Sequence, residues 1–200
     1  MKLCPSRLFS LTWIALLPAW VAAVEPLPEG GALSGERFRV VVSTDAGGSD
    51  DDDLQSLVHY FLYADLFDTE GLVSSPPAEG RSKDIEEVIA VYEKDFPKLR
   101  KHRERYPEPA VLRSVLKQGA IDPAPKAGFS QPTEGSRWIV ERARADDPEN
   151  RPLWVLVWGS ITDVAQAVRD APDIKDRIRV YYIASWNREQ DPNSFRYLEE

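Results

Sequence analysis

Between residues 37 and 200 short, densely apolar runs alternate with stretches whose apolar positions recur every three or four residues. Arg37–Thr44, with Val40, Val41 and Val42 in succession, has the pattern of a strand buried on both faces. From Asp52 onward Leu54, Leu57, Val58, Phe61 and Leu62 fall on one face of a helix. Thr69–Ser75 predicts a second strand, closing a βαβ unit. Ser82 is placed to cap a helix carrying Ile85, Val88, Ile89 and Tyr92, and a basic helical stretch follows over Pro97–Tyr106. Ala110–Gln118 predicts another helix, closed by Gly119. After a Pro/Gly-rich loop to Pro132, Thr133-Glu134-Gly135-Ser136 leads into a helix through Ala145. Pro152–Trp158 and Arg177–Ile183 predict two more buried strands, with a helix over Ile161–Arg169 between them. Strands and helices alternating in this way predict an α/β fold: a Rossmann-like, mainly parallel sheet flanked by helices. Four strands make a small sheet for this architecture, so the sequence is expected to be the N-terminal portion of a longer domain, truncated at its C-terminal side.

The first 23 residues do not fit that alternation. Lys2 and Arg7 precede an apolar stretch, Leu8–Ala19, which is broken by Pro18 and followed by the small residues Val21-Ala22-Ala23. This is the layout of a cleaved secretory signal, and it is too short for a membrane anchor. Residues 24–36 read as a leader and 37–200 as the folded domain. The sole cysteine, Cys4, lies in the signal, so the mature chain has no thiol for disulfides, nucleophilic catalysis or zinc. A bacterial periplasmic or secreted location follows. The formal charge of −8 becomes two units more negative once Lys2 and Arg7 are removed. So acidic a chain offers no footprint for nucleic acid or for anionic membranes. Small polyhydroxyl compounds and cations remain as partners, and self-association stays open.

The charge is unevenly placed. Asp45, Gly47-Gly48 and the run Asp50–Asp53 all follow the first strand, at the strand end where open α/β sheets bind ligands. One carboxylate at a helix start gains about 0.3–1 kcal/mol from the helix dipole. Five close together repel one another, and a hard cation such as calcium, which takes six to eight oxygens, would remove the conflict. The competing reading is a capping aspartate in an acidic surface loop. An EF-hand does not fit, because its glycine and closing glutamate are missing at their offsets. An aspartyl-phosphate phosphatase does not fit either, because Ser43 stands where its first carboxylate would be. Ser74–Pro77 and Trp158–Thr162 fall at the other strand exits. Glu134, at a helix start, and Trp186-Asn187, after the last strand, are candidate ligand contacts. Capping is the competing role for Thr133–Ser136, and packing for Trp186. His59, inside a helix, and His102, in the basic segment, stand at no strand exit. Trp138 and Trp154 have core-like contexts.

The block Ser43-Thr44-Asp45-Ala46-Gly47, followed by Gly48–Asp51 and Asp52-Asp53, resembles the D-x-D-P-G-x-D-D motif of nucleoside hydrolases. It departs from that motif in having Ser43 for the first aspartate, Ala46 for the proline and three extra residues before the Asp pair. It is more similar to the nucleoside-hydrolase-like domain of the bacterial cellulose-binding protein family, whose loop is extended and continues Gln-Ser, as Gln55-Ser56 does here. LYADLFDTEGLVSSP, PLWVLVWGSITDVAQAV and RVYYIASWNREQDPNSFRYL share the likeness, which spans 37–200. It implies calcium as cofactor, Asp45 as metal-bound general base, Asp53 as a second metal ligand and Asp52 as its partner toward sugar hydroxyls. The Trp158 carbonyl would be a further ligand. A last metal-binding aspartate would lie beyond residue 200. The implied activity is hydrolysis of N-glycosyl bonds in nucleoside-type substrates. The alternative is a non-catalytic protein that binds cellulose or another glycan in the same cleft.

Overall fold

A computed structural model describes residues 37–47, 51–76 and 81–200. The expected signal peptide, the leader, Cys4, Gly48, Asp50 and Pro77 lie outside the described residues. Among those described, no helix is long and apolar enough to cross a membrane.

Five parallel strands form one sheet: β1 (Phe38–Thr44), β2 (Phe67–Ser74), β3 (Leu116–Lys117), β4 (Leu153–Val157) and β5 (Ile178–Tyr182), in the order β3-β2-β1-β4-β5. The chain leaves β1 toward β2 and β3, then returns to the other side of β1 for β4 and β5. This reversal makes the gap between β1 and β4 the topological switch point, where a crevice opens beyond the strands' carboxyl ends. Asp45 leaves β1 at that point, and Trp158 leaves β4.

Helices cover both faces, as the valine-rich β1 requires. Val40 and Val42 pack with Leu57 and Phe61 of α1 (Asp52–Leu62), Ile85 and Ile89 of α2 (Ser82–His102), and Leu112 of α3 (Pro109–Ser114). Val41 points the other way. It packs with Ile139 of α4 (Glu134–Arg144) and with Val164 and Val168 of α5 (Thr162–Asp170). The chain continues into α6 (Trp186–Gln190) and α7 (Pro192–Glu199). Phe195 and Leu198 of α7 close over the second cluster.

Several boundaries differ from those expected. The predicted helix over Ala110–Gln118 stops at Ser114, and Leu116-Lys117 pairs with Leu72-Val73 as β3. The Leu72 N–H donates to the Val115 carbonyl at 3.0 Å, and this edge pairing outcompetes one more helical turn. The basic stretch is not a separate element, since α2 runs through Pro97 to His102. Ser82 is the first helical residue rather than the cap, and its N–H is taken by Gln118 Oε1 at 3.0 Å. The partner that caps α2 therefore comes from the end of β3. In β2 the register to β1 skips Glu70, a bulge that turns its carboxylate onto two arginines. Glu70 accepts Arg39 Nε at 2.6 Å and Arg142 Nε at 3.2 Å. Arg39 is only 4% exposed. This pairing secures the amino edge of the sheet, opposite the crevice.

Candidate functional site at the switch point

The β1 ladder extends past its last residue on both sides. Trp158 N–H donates to the Ser43 carbonyl and Ser75 N–H to the Thr44 carbonyl, each at 2.8 Å. These bonds fix the tips of β4 and β2 beside Asp45. Gly47, with φ +86°, then turns the chain toward α1. A side chain there would be strained, and its Cβ would fall 2.4 Å from Asp84 Oδ2.

Asp45 and Asp53 come together across this turn. The Asp45 carboxyl is pushed up to about 9 by burial first, then by a hydrogen bond with the Asp53 carboxylate and its negative charge, with Asp52 adding more. Its Oδ1 is buried and has no hydrogen-bond partner. Ser43 Oγ, Thr44 Oγ1 and Ser75 Oγ, on the adjoining strand tips, are likewise buried and unpartnered. Two carboxyls pressed together, with the unpartnered Ser75 Oγ converging beside Asp45 Oδ1 on Gly159, need either a retained proton or a cation, so the donor set fits a hard metal ion. Among the described residues no group of three or more His, Cys, Asp or Glu could by itself hold a metal ion. Neutral oxygens of the described strand ends stand beside the pair as further donors. The Trp158 carbonyl already accepts Asn187 Nδ2 at 2.5 Å, which leaves it one lone pair.

The other expected residues fall as follows. Asp52 opens α1 and is exposed, and Asp51 precedes it as an N-cap without a side-chain cap bond. Asn187 reaches the crevice through its bond to Trp158. Glu134 stands two strands away, by β3, where it accepts the Gln118 N–H at 3.3 Å and lies 3.5 Å from Lys117 Nζ. Thr133 and Ser136 form a reciprocal capping box, so that segment is a helix cap. His59 and His102 are exposed on α1 and α2. Packing was the competing role for Trp186, yet it is 64% exposed.

Three features were not anticipated. Ala184 and Ser185 both adopt positive φ (52° and 49°) at the exit of β5, a local strain that sets the direction of Trp186 and Asn187. Asp191, fully buried, accepts Ser160 Oγ at 2.8 Å, Thr162 Oγ1 at 2.6 Å and the Ser194 N–H at 3.2 Å. It thereby braces the loop after β4 from behind. Asp163, also buried, accepts Thr133 Oγ1 and the Ala120 N–H, and burial raises its carboxyl to about 6 against those bonds. A Gly-rich or Asp-rich spelling marks none of the three. The strained dipeptide carries no glycine, and both aspartates look like ordinary helix-start residues.

A family model described as "Cellulose-binding Sde182, nucleoside hydrolase-like domain" matches residues 39–199. The chain belongs to this family. The domain is similar to a solved nucleoside hydrolase-related hypothetical protein from Saccharophagus degradans, described as associated with carbohydrate metabolism. That alignment has 28% identity and a TM-score of 0.66, covering 76% of this chain and 40% of that one. The chain thus spans less than half the length of that relative. More remote likenesses are a plant nucleoside hydrolase, PpNRh1 (12% identity, 82% of this chain and 57% of that one, TM-score 0.47), and an inosine-uridine preferring nucleoside hydrolase from Bacillus anthracis (16%, 82% and 61%, 0.45). No curated protein matches the chain.

Proposed function

We propose that this nucleoside-hydrolase-like domain binds calcium at Asp45 and Asp53 and hydrolyses N-glycosyl bonds of nucleoside-type substrates, as part of an exported bacterial protein. The observation that carries this reading is Asp45 itself. It stands at the switch point with a raised proton affinity, a carboxylate neighbour and an unpartnered oxygen.

Calcium, when bound, would supply the positive charge that relieves the carboxyl pair and would orient water and sugar hydroxyls. Asp45 accepts the proton of a water whose oxygen bonds to the anomeric carbon as that carbon's bond to the base nitrogen breaks, and the electron pair leaves on the nitrogen, which takes a proton from solvent. Asp53 shares the charge of that centre, and Asp52, exposed at the start of α1, faces sugar hydroxyls. Both carboxylates stabilise the positive charge that develops on the sugar ring. The free lone pair of the Trp158 carbonyl offers the next neutral ligand, with the Asn187 amide beside it for a substrate hydroxyl. Glu134 keeps only an outer place by β3.

A second reading, glycan binding without turnover, is favoured by the exposed Trp186 beside Asn187, since an open indole suits the apolar face of a sugar ring. Calcium titration and a chromogenic nucleoside assay on the full-length protein decide between the two. Calcium-dependent turnover that Asp45→Asn abolishes and Asp51→Asn leaves intact supports the enzyme. Retention on insoluble polysaccharide with no turnover at any calcium concentration refutes it.

A further inference from the structure

The strand register carries one assignment further. Ser43 lies opposite Val73 on one side and Val157 on the other. Two residues on, Ser75, Asp45 and Gly159 therefore form one row across the tips of β2, β1 and β4. A Cβ built on Gly159 would lie 2.5 Å from Ser75 Oγ and 2.6 Å from Asp45 Oδ1. Both oxygens thus converge on the bare Cα of Gly159, and neither has a hydrogen-bond partner. Ser75 is wholly buried and its residue type is small, so packing alone would be served as well by alanine. The two oxygens already crowd the place a side chain at residue 159 would take, which requires glycine there, and a buried hydroxyl and carboxyl oxygen left unsatisfied side by side call for a shared ligand.

We propose that Ser75 is a positioning residue of the candidate cation site, where its hydroxyl and Asp45 Oδ1 take one shared hydroxylic ligand, a water or a sugar hydroxyl, against Gly159. The polarity is complementary. A carboxylate only accepts, so the ligand donates its proton to Asp45 Oδ1, while Ser75 Oγ–H donates to the ligand's oxygen. This assignment rests on the cation reading above, and it gives that site a donor that the acidic residues lack.

The test is calorimetric titration of the full-length protein with calcium chloride, with and without saturating ribose, for wild type, Ser75→Ala and Asp45→Asn. Thermal unfolding of each cation-free variant runs in parallel. Ser75→Ala is expected to weaken calcium binding about fivefold, the effect of one lost hydrogen bond. The cation-free protein should melt no lower than wild type, because the hydroxyl removed had no partner. A loss seen with calcium alone identifies the ligand as water, and a loss seen only with ribose identifies it as a sugar hydroxyl. Unchanged affinity in Ser75→Ala, while Asp45→Asn loses binding, overturns the role of Ser75 and leaves the site. A lower melting temperature with unchanged affinity overturns it as well, by making Ser75 structural. Absence of calcium binding in wild type overturns the cation reading and this assignment together.

Discussion

Asp45→Asn should stabilise the cation-free protein at neutral pH, the opposite of what loss of a buried aspartate ordinarily does. The folded carboxyl titrates near 9, against about 3.8 in the unfolded chain. Below pH 3.8 both states hold the proton and Asp45 contributes nothing. As pH rises from there the unfolded state ionises while the folded state keeps its proton, so stability falls by about 1.4 kcal/mol per pH unit. At pH 7 that amounts to roughly 4 kcal/mol, and solvent screening at this partly open carboxyl halves it to about 2 kcal/mol. Asparagine removes the linkage. For a domain of this size the gain is a melting temperature higher by about 4–8 °C at pH 7. The gain shrinks toward zero at pH 4. Urea unfolding in a chelator at pH 4, 5.5, 7 and 8 measures it. Adding calcium should then reverse the order, because a ligand at a hundred times its Kd stabilises only the protein that binds it, by about 2.7 kcal/mol. Asp45→Asn that is destabilised at pH 7, or a difference that stays flat from pH 4 to 8, refutes the reasoning.

Three other outcomes follow from the geometry. Glu70→Ala leaves the buried Arg39 guanidinium without its carboxylate and should cost about 3–5 kcal/mol by urea unfolding, with calcium affinity unchanged at the far end of the sheet. Asp191→Ala strands the Ser160 and Thr162 hydroxyls and should cost about 2–4 kcal/mol, while weakening calcium binding through the displaced loop after β4. Trp186→Ala, at an exposed position, should change stability by less than about 0.5 kcal/mol yet reduce retention on insoluble polysaccharide or raise the KM for a nucleoside.

How much of this was legible in the sequence differs from element to element. The Val40–Val42 run could only be a two-sided strand, and the spacing of Leu54, Leu57 and Phe61 could only be a helix packed on it. Periodicity is a local property of the chain, so β1, α1, β4 and α5 could be read directly. The two residues of β3 could not. They are too short to show a period, and their pairing with Leu72 and Val73 is a contact across more than forty residues. Pro97 misled for a related reason: helix propensity argues for a break, but α2 continues through Pro97 on an exposed face, anchored by Ile85, Ile89 and Tyr92.

The same division runs through the site. The residue types alone marked Asp45–Asp53 as an electrostatic conflict, because charges adjacent in sequence must be adjacent in space. Strand order, set by long-range pairing, decided that Asp45 leaves the central strand at the switch point beside Gly159 and Ser75. It also decided which carboxylates meet: Asp53 turns in against Asp45, while Asp52 and Asp51 are exposed. The sequence determined where the negative charge is concentrated. Only the tertiary structure decided which oxygen is buried without a partner, because burial and hydrogen-bond satisfaction are properties of the packed strand ends, not of any one segment.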